Sequence, residues 1–121
     1  SSPKEILENC KGVDVVGIDE AQFFDQSLVK VCNTLANNGQ RIIVAGLDMD
    51  YEGNPFGPIP NLMACAEEVK KVYAVCVETG NPAGYSYRKE EMKELVLIGE
   101  KKEYEPLSRE VFIKRMNKRK F

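Results

Sequence analysis

Two short runs of β-branched residues bracket an amphipathic segment, and that order restricts the chain to a small set of folds. Val13-Asp14-Val15-Val16-Gly17-Ile18 reads as a buried strand, and Arg41 to Ala45 (RIIVA) as a second. Between them, from Gln26 to Asn38, Leu28, Val31, Cys32 and Leu35 recur at i, i+3, i+4 and i+7, and Gly39 stands where a C-terminal cap glycine belongs. Strand, helix and strand fit within about 33 residues, the size of a right-handed crossover between parallel strands. An α/β fold on a parallel sheet follows.

Ser2-Pro3-Lys4-Glu5 opens the chain with a capping serine, a proline at the first helical position and a glutamate three residues after the cap, so a short helix is expected to near Cys10. Gly46 to Pro60 (GLDMDYEGNPFGPIP) holds too much Gly, Pro and Asp for a regular element and reads as a functional loop leaving the second strand. Asn61 to Glu68 reads as a helix, Lys70 to Val77 as a third strand. Beyond Pro82 the pattern changes. Gly84 to Arg88 and Glu94 to Ile98 read as a hairpin around a charged turn, and Pro106 as the start of a last helix to about Asn117 with a basic end.

Composition narrows the function. The 121 residues suit one core, 43% being hydrophobic and 30% charged, and the formal net charge of −2 supplies no global field for nucleic acid or an anionic membrane. The basic tail (Lys114, Arg115, Lys118, Arg119, Lys120) reads as a solvated terminus rather than a nucleic-acid site. Four separated cysteines without a C-x-x-C pair imply reduced thiols and a cytoplasmic setting, and no apolar run approaches the ~20 residues of a membrane span. Opening on Ser1 rather than Met, directly into a helix signal, the chain is expected to begin partway through a larger gene product.

Open α/β sheets bind ligands beyond the carboxyl ends of their strands, and both strand ends here carry acids: Asp19 and Glu20 on one, Asp48 and Asp50 on the other. Successive strand side chains point to opposite faces, so Asp19 and Glu20 need not compete for one partner. An apolar strand ending in Asp-Glu is the Walker B pattern of phosphoryl-transfer sites, although surface acids closing a strand would look the same. Phe23 and Phe24 follow at once, and Tyr51 and Tyr104 offer further aromatic groups for a planar ligand or for packing.

The combination Val16-Gly17-Ile18-Asp19-Glu20-Ala21-Gln22-Phe23-Phe24, Ala45-Gly46-Leu47-Asp48-Met49-Asp50-Tyr51 and Asn54-Pro55-Phe56-Gly57 resembles the type II thymidine kinases. The likeness runs on through Leu62 to Ala66, Ala74-Val75-Cys76, Gly80-Asn81-Pro82-Ala83, Leu97-Ile98-Gly99 and Tyr104, covering most of the chain up to Ser108. The fold it implies is α/β: part of a P-loop kinase-like core with a parallel sheet over residues 1–77, then a small β-hairpin lasso and a C-terminal helix over 78–121. The activity it implies is transfer of the ATP γ-phosphate to the 5′-hydroxyl of thymidine. Glu20 matches the family's catalytic base, Asp19 the residue that holds Mg²⁺ through water, and Asp19, Glu20, Ala21 and Gln22 together the stretch beside the ATP phosphates. Phe23, Leu47 and Tyr51 match residues that enclose thymine, and Ser86 stands in place of a threonine lying against it. Leu95, Val96, Leu97, Ile98 and Gly99 match the lasso that reads the thymine edge with backbone groups, and Tyr104 a tyrosine that closes over the nucleoside. A cytoplasmic homotetramer is implied as well.

Two departures qualify this. The family's G-x-x-x-x-G-K-[ST] phosphate loop occurs nowhere in these residues, so the polypeptide alone is expected to be inactive, with activity belonging to a longer chain or a complex. The family's zinc is bound by two C-x-x-C pairs; here only Cys76 remains, with Thr79, Ser108 and Val111 at the other ligand positions, so no zinc is expected and the last helix is expected to hold the lasso base by packing. Two other readings stand beside the kinase: a fragment of a helicase-like P-loop ATPase, and a non-enzymatic nucleoside-binding or interaction module.

Overall fold

A computed structural model describes residues 2–89 and 104–120, which form two compact units. Of the described residues, the first comprises 2–48 and 55–69, the second 49–54, 70–89 and 104–120.

In the first unit, helix α1 (Pro3–Asn9) starts as its sequence dictates: Pro3 occupies the first turn and the Ser2 hydroxyl accepts the Glu5 N–H at 3.4 Å. Strands β1 (Val15–Ile18) and β2 (Arg41–Val44) pair in parallel, Val15 opposite Arg41 and Ile18 opposite Val44. Helix α2 (Ser27–Asn37) connects them and buries Leu28, Val31, Cys32 and Leu35. It ends in a Schellman motif, with the Gly39 N–H bonded to Ala36 O at 2.9 Å and the Gln40 N–H to Leu35 O at 3.2 Å, and Gly39 supplies the required positive φ of 90°. The Gln40 side chain then donates to Cys10 O at 2.6 Å and Val13 O at 2.8 Å, fixing the α1–β1 connection against the start of β2.

Alternation on β1 sends Val16 and Ile18 into the core while Val15 remains 54% exposed on the opposite face. Helix α3 (Ile59–Cys65) completes that core with Ile59 and Leu62. It starts before the expected Asn61, because Pro60 is tolerated in a first turn, and stops before Glu68 where Ala66 becomes extended.

In the second unit the expected strand over Lys70 to Val77 shrinks to β3 (Ala74–Val75), which pairs antiparallel with β4 (Pro82–Ala83). The reason is physical. A β-branched run becomes a strand only where a neighbour supplies hydrogen bonds and a packed face, and Val72, Val75 and Val77 remain 80%, 64% and 54% exposed. Strand β5 (Tyr85–Arg88) pairs antiparallel with β6 (Tyr104–Leu107), Arg88 opposite Tyr104. The strand expected at Glu94 to Ile98 lies outside the described residues. Pro106 belongs to β6 instead of opening the last helix, and its carbonyl accepts the Val77 N–H at 3.1 Å. Helix α4 (Arg109–Lys120) starts after Ser108, whose carbonyl accepts the Phe112 N–H at 2.9 Å. Val111 and Phe112 pack with Cys76, Ala83 and Leu107 in this unit's core.

Candidate functional site

Strand β1 delivers Asp19 and Glu20 to its carboxyl end, both exposed. Asp19 Oδ1 accepts the Glu20 N–H at 2.8 Å. Glu20 adopts φ 53° and ψ 40°, the one left-handed non-glycine residue among those described. Residues other than Gly reach that region at a cost of roughly 1–3 kcal/mol, and such strain gathers at functional sites. Immediately after it, a 3₁₀ turn (Ala21–Phe23) buries Ala21 and Gln22 and turns Phe23 outward. The Ala21 N–H bonds to Ala45 O at 3.1 Å, carrying the β1–β2 ladder one step past the strands.

Gln22 is buried, at 3% exposure, and both ends of its amide are used. Its Nε2 donates to Glu20 Oε2 at 2.6 Å, and its Oε1 accepts the Leu47 N–H at 3.0 Å. Above them Phe23 is 73% exposed, with the Phe56 ring edge-on to it at 5.7 Å, and Leu47 is 49% exposed. Exposed apolar groups beside a carboxylate are what a planar, partly polar ligand needs. The loop is pinned further by Gln26 Nε2 on Gly57 O at 2.9 Å and by the Asn61 amide on Gln26 Oε1 at 2.8 Å.

The second unit holds Tyr51, Ser86 and Tyr104. Asp50 Oδ1 accepts the N–H groups of Glu52 at 2.9 Å and Asn54 at 3.0 Å, closing the loop that presents Tyr51, and the Arg88 guanidinium lies 5.1 Å from the Tyr51 ring centre. Ser86 and Arg88, two apart on β5, face one side of that strand, and Tyr104 is 42% exposed on the strand alongside. Leu95, Val96, Leu97, Ile98 and Gly99 lie outside the described residues. Sequence reading missed Phe56 against Phe23 and Arg88 over Tyr51. Phe56 was visible as part of a motif but without a role, and Arg88 had no signal, since its partner is 37 positions away in the chain and is met only through folding.

Two metals can be tested against the donors present. Among the described residues no three His, Cys, Asp or Glu side chains group to hold an ion. Magnesium keeps several waters and takes one or two carboxylates plus substrate phosphates, which the exposed Asp19 carboxylate fits. A structural zinc site takes four Cys or His ligands, and one thiol with a threonine, a serine and a valine at the other three positions does not fit it. Burial pushes the Cys76 thiol up, but hydrogen bonds from the Thr79 side chain and from the backbone N–H groups of Ser108, Thr79 and Glu78 more than offset this and bring it to about 6. Val111 is buried in the apolar core. A third group ties the region: Arg115 on α4 donates through Nη1 to Glu105 Oε1 at 2.7 Å, through Nε and Nη2 to Glu78 Oε2, and lies 5.1 Å from the Tyr87 ring centre.

The family model described as thymidine kinase matches residues 2–112. The chain is similar to a thymidine kinase of Bacteroides thetaiotaomicron, 56% identical over 113 residues, covering 93% of this chain and 57% of the relative. Thymidine kinases of Porphyromonas gingivalis and a Rhodothermus species are 55% and 50% identical, over 84% and 92% of this chain and 50% and 52% of their own lengths. The chain thus spans about half the length of the curated relatives it matches.

Proposed function

This chain belongs to the thymidine kinase family, and we propose that it supplies the catalytic carboxylate and much of the nucleoside pocket of an enzyme that phosphorylates thymidine from ATP. The observation that carries this reading is the Asp19-Glu20 pair at the carboxyl end of β1, beside the exposed Phe23 and Leu47.

Glu20 takes the proton of the thymidine 5′-hydroxyl as that oxygen forms its bond to the γ-phosphorus and the bond to the bridging oxygen of ADP breaks, leaving thymidine monophosphate, ADP and a protonated carboxyl. Asp19 would hold Mg²⁺ through water, and when bound the ion neutralises charge on the phosphates. Ala21 and Gln22 lie in the stretch assigned to the phosphate side. Phe23 and Leu47 in the first unit, and Tyr51, Ser86 and Tyr104 in the second, are assigned to nucleoside contact, as are Leu95 to Gly99. Residues 1–77 then represent part of a P-loop kinase core and residues 78–121 the lasso region with its closing helix.

The phosphate loop is absent from these residues, so we assign the full activity to a longer chain or to a complex with the missing segment. Val15 and Ile43, 54% and 51% exposed on the outer face of the β1–β2 sheet, support this, because parallel sheets are ordinarily covered on both faces. We further propose a cytoplasmic homotetramer, tested by sedimentation and cell fractionation; no helix among the described residues is long and apolar enough to cross a membrane.

The test is thymidine phosphorylation by the complete protein with and without Glu20→Gln, alongside the intact mass of the native polypeptide. Loss of a general base is expected to lower kcat by roughly 10²- to 10⁴-fold with little change in the thymidine KM. Unchanged turnover in Glu20→Gln would remove Glu20 from the chemistry.

A further inference from the structure

We infer that Gln22 is a positioning residue, which holds the Glu20 carboxylate and the Leu47 backbone in one hydrogen-bonded unit so that base and nucleoside loop keep a fixed separation. This deepens the kinase reading and rests on it for the role given to Glu20. The polarity of the unit is forced. A carboxylate at this distance accepts and an N–H only donates, so Nε2 must face Glu20 at 2.6 Å and Oε1 must face Leu47 at 3.0 Å; a flipped amide would set oxygen against oxygen and N–H against N–H. At 3% exposure a glutamine belongs in a protein interior only if its amide is satisfied, and no buried side-chain N or O among the described residues lacks a partner.

Two glycines approach this residue closely, one at its side chain and one at its backbone. A Cβ on Gly46 would come within 2.9 Å of Gln22 Oε1, and one on Gly57 within 2.4 Å of the Gln22 carbonyl oxygen. Two loop glycines that stand far apart in sequence thus leave room for one residue. Glu20 itself needs an external hold, since its left-handed backbone persists only where neighbours over-determine it. Gln22 provides one on the side chain, as the Asp19 carboxylate does on the Glu20 N–H. With both polar ends engaged, Gln22 acts through Glu20 and Leu47.

The experiment is a double-mutant cycle in the complete protein, with Gln22→Met, which keeps the volume and removes both bonds, made alone and with Glu20→Gln. Misplacing a catalytic group by about 1 Å costs on the order of 100-fold, so Gln22→Met is expected to lower kcat by about 10- to 100-fold with the thymidine KM within about threefold. In the Glu20→Gln background it is expected to lower kcat no further, because a residue acting through another has no effect once that one is gone. Equal losses in both backgrounds would overturn the inference, as would a loss confined to KM. If Glu20→Gln leaves turnover intact, the kinase assignment of Glu20 fails separately, and a crystal structure of Gln22→Met decides the positioning role by itself: a displaced Glu20 carboxylate and Leu47 amide uphold it, an unmoved pair sinks it.

Discussion

Replacing Arg115 by Met should weaken the second unit by about 2–3 kcal/mol. The side chain is 26% exposed, so its ion pairs fall between surface pairs at roughly 0.2–1 kcal/mol and buried pairs that cost about 3–5 kcal/mol to break. Its two acid partners differ. Glu78 is 48% exposed and regains water when the arginine leaves, so that arm contributes at the low end, about 0.5 kcal/mol. Glu105 is 26% exposed, with Lys89 at 3.8 Å on its other oxygen, so losing the 2.7 Å bond from Arg115 should cost about 1.5 kcal/mol, near the lower end for charged hydrogen bonds. The contact with Tyr87 adds about 0.5 kcal/mol. Methionine retains the packing of the stem, so the loss measured is that of the charge and its bonds. All five tyrosines, Tyr51, Tyr73, Tyr85, Tyr87 and Tyr104, lie in this unit and the chain has no tryptophan, so tyrosine fluorescence through a urea titration reports the affected unit. The expected change is a fall of the unfolding free energy by about 2–3 kcal/mol at constant denaturant slope, and Arg115→Lys should restore less than half, since an ammonium cannot serve both acids through a planar fork. A loss under about 0.5 kcal/mol would refute the reasoning. So would a chelator that lowers the wild-type midpoint as far as Arg115→Met does, because the region would then be held by metal.

Gly57→Ala combines a left-handed backbone, φ 50°, with a Cβ placed 2.4 Å from a backbone oxygen, and should cost about 2–5 kcal/mol; Gly39→Ala, at φ 90° with nothing within 4 Å, should cost only about 1–2 kcal/mol, and equal losses in urea melts would count against the close contact. Cys76, with its folded pKa near 6 against 9.0 when unperturbed, favours the folded state as thiolate, so its contribution is full above pH 9 and is lost as pH falls through 6. The stability gap between wild type and Cys76→Ala should therefore widen from pH 5.5 to 8.5, with a thiolate absorbance step near pH 6 absent from the variant; a constant gap contradicts the hydrogen-bonded sulfur. Phe23→Ala removes a ring that is 73% exposed, so stability should hardly change while the thymidine KM rises by about 3- to 10-fold, and an unchanged KM would take Phe23 out of the pocket.

The elements legible in the sequence are those whose causes are local. Ser2, Pro3 and Glu5 start α1, and Gly39 ends α2, through partners within a few positions. The parallel β1–β2 pair was legible because the helix between them repeats at helical spacing and leaves few ways to return. The run from Lys70 to Val77 misled for the opposite reason: its composition is that of a strand, but whether it becomes one depends on a neighbour elsewhere in the chain, and what it meets is the short Pro82–Ala83 strand and isolated bonds to Asn81 and Pro106.

The same division runs through the site. Asp19 and Glu20 could be placed at a strand end from sequence, and Phe23 beside them, but nothing local announces that Glu20 turns left-handed or that Gln22 reaches across to the Leu47 backbone. Losses of motif show a related asymmetry. Three missing thiols around Cys76 are plain in the sequence, whereas what occupies their place is not, because a cysteine sulfur beside Thr79 and backbone N–H groups and an arginine shared by Glu78 and Glu105 draw on positions as distant as residues 76 and 115. Metal ligands must come as a set with fixed spacing, so their absence is a pattern. Hydrogen bonds and ion pairs can be supplied from any element that folding brings near, so their presence becomes a pattern only in three dimensions.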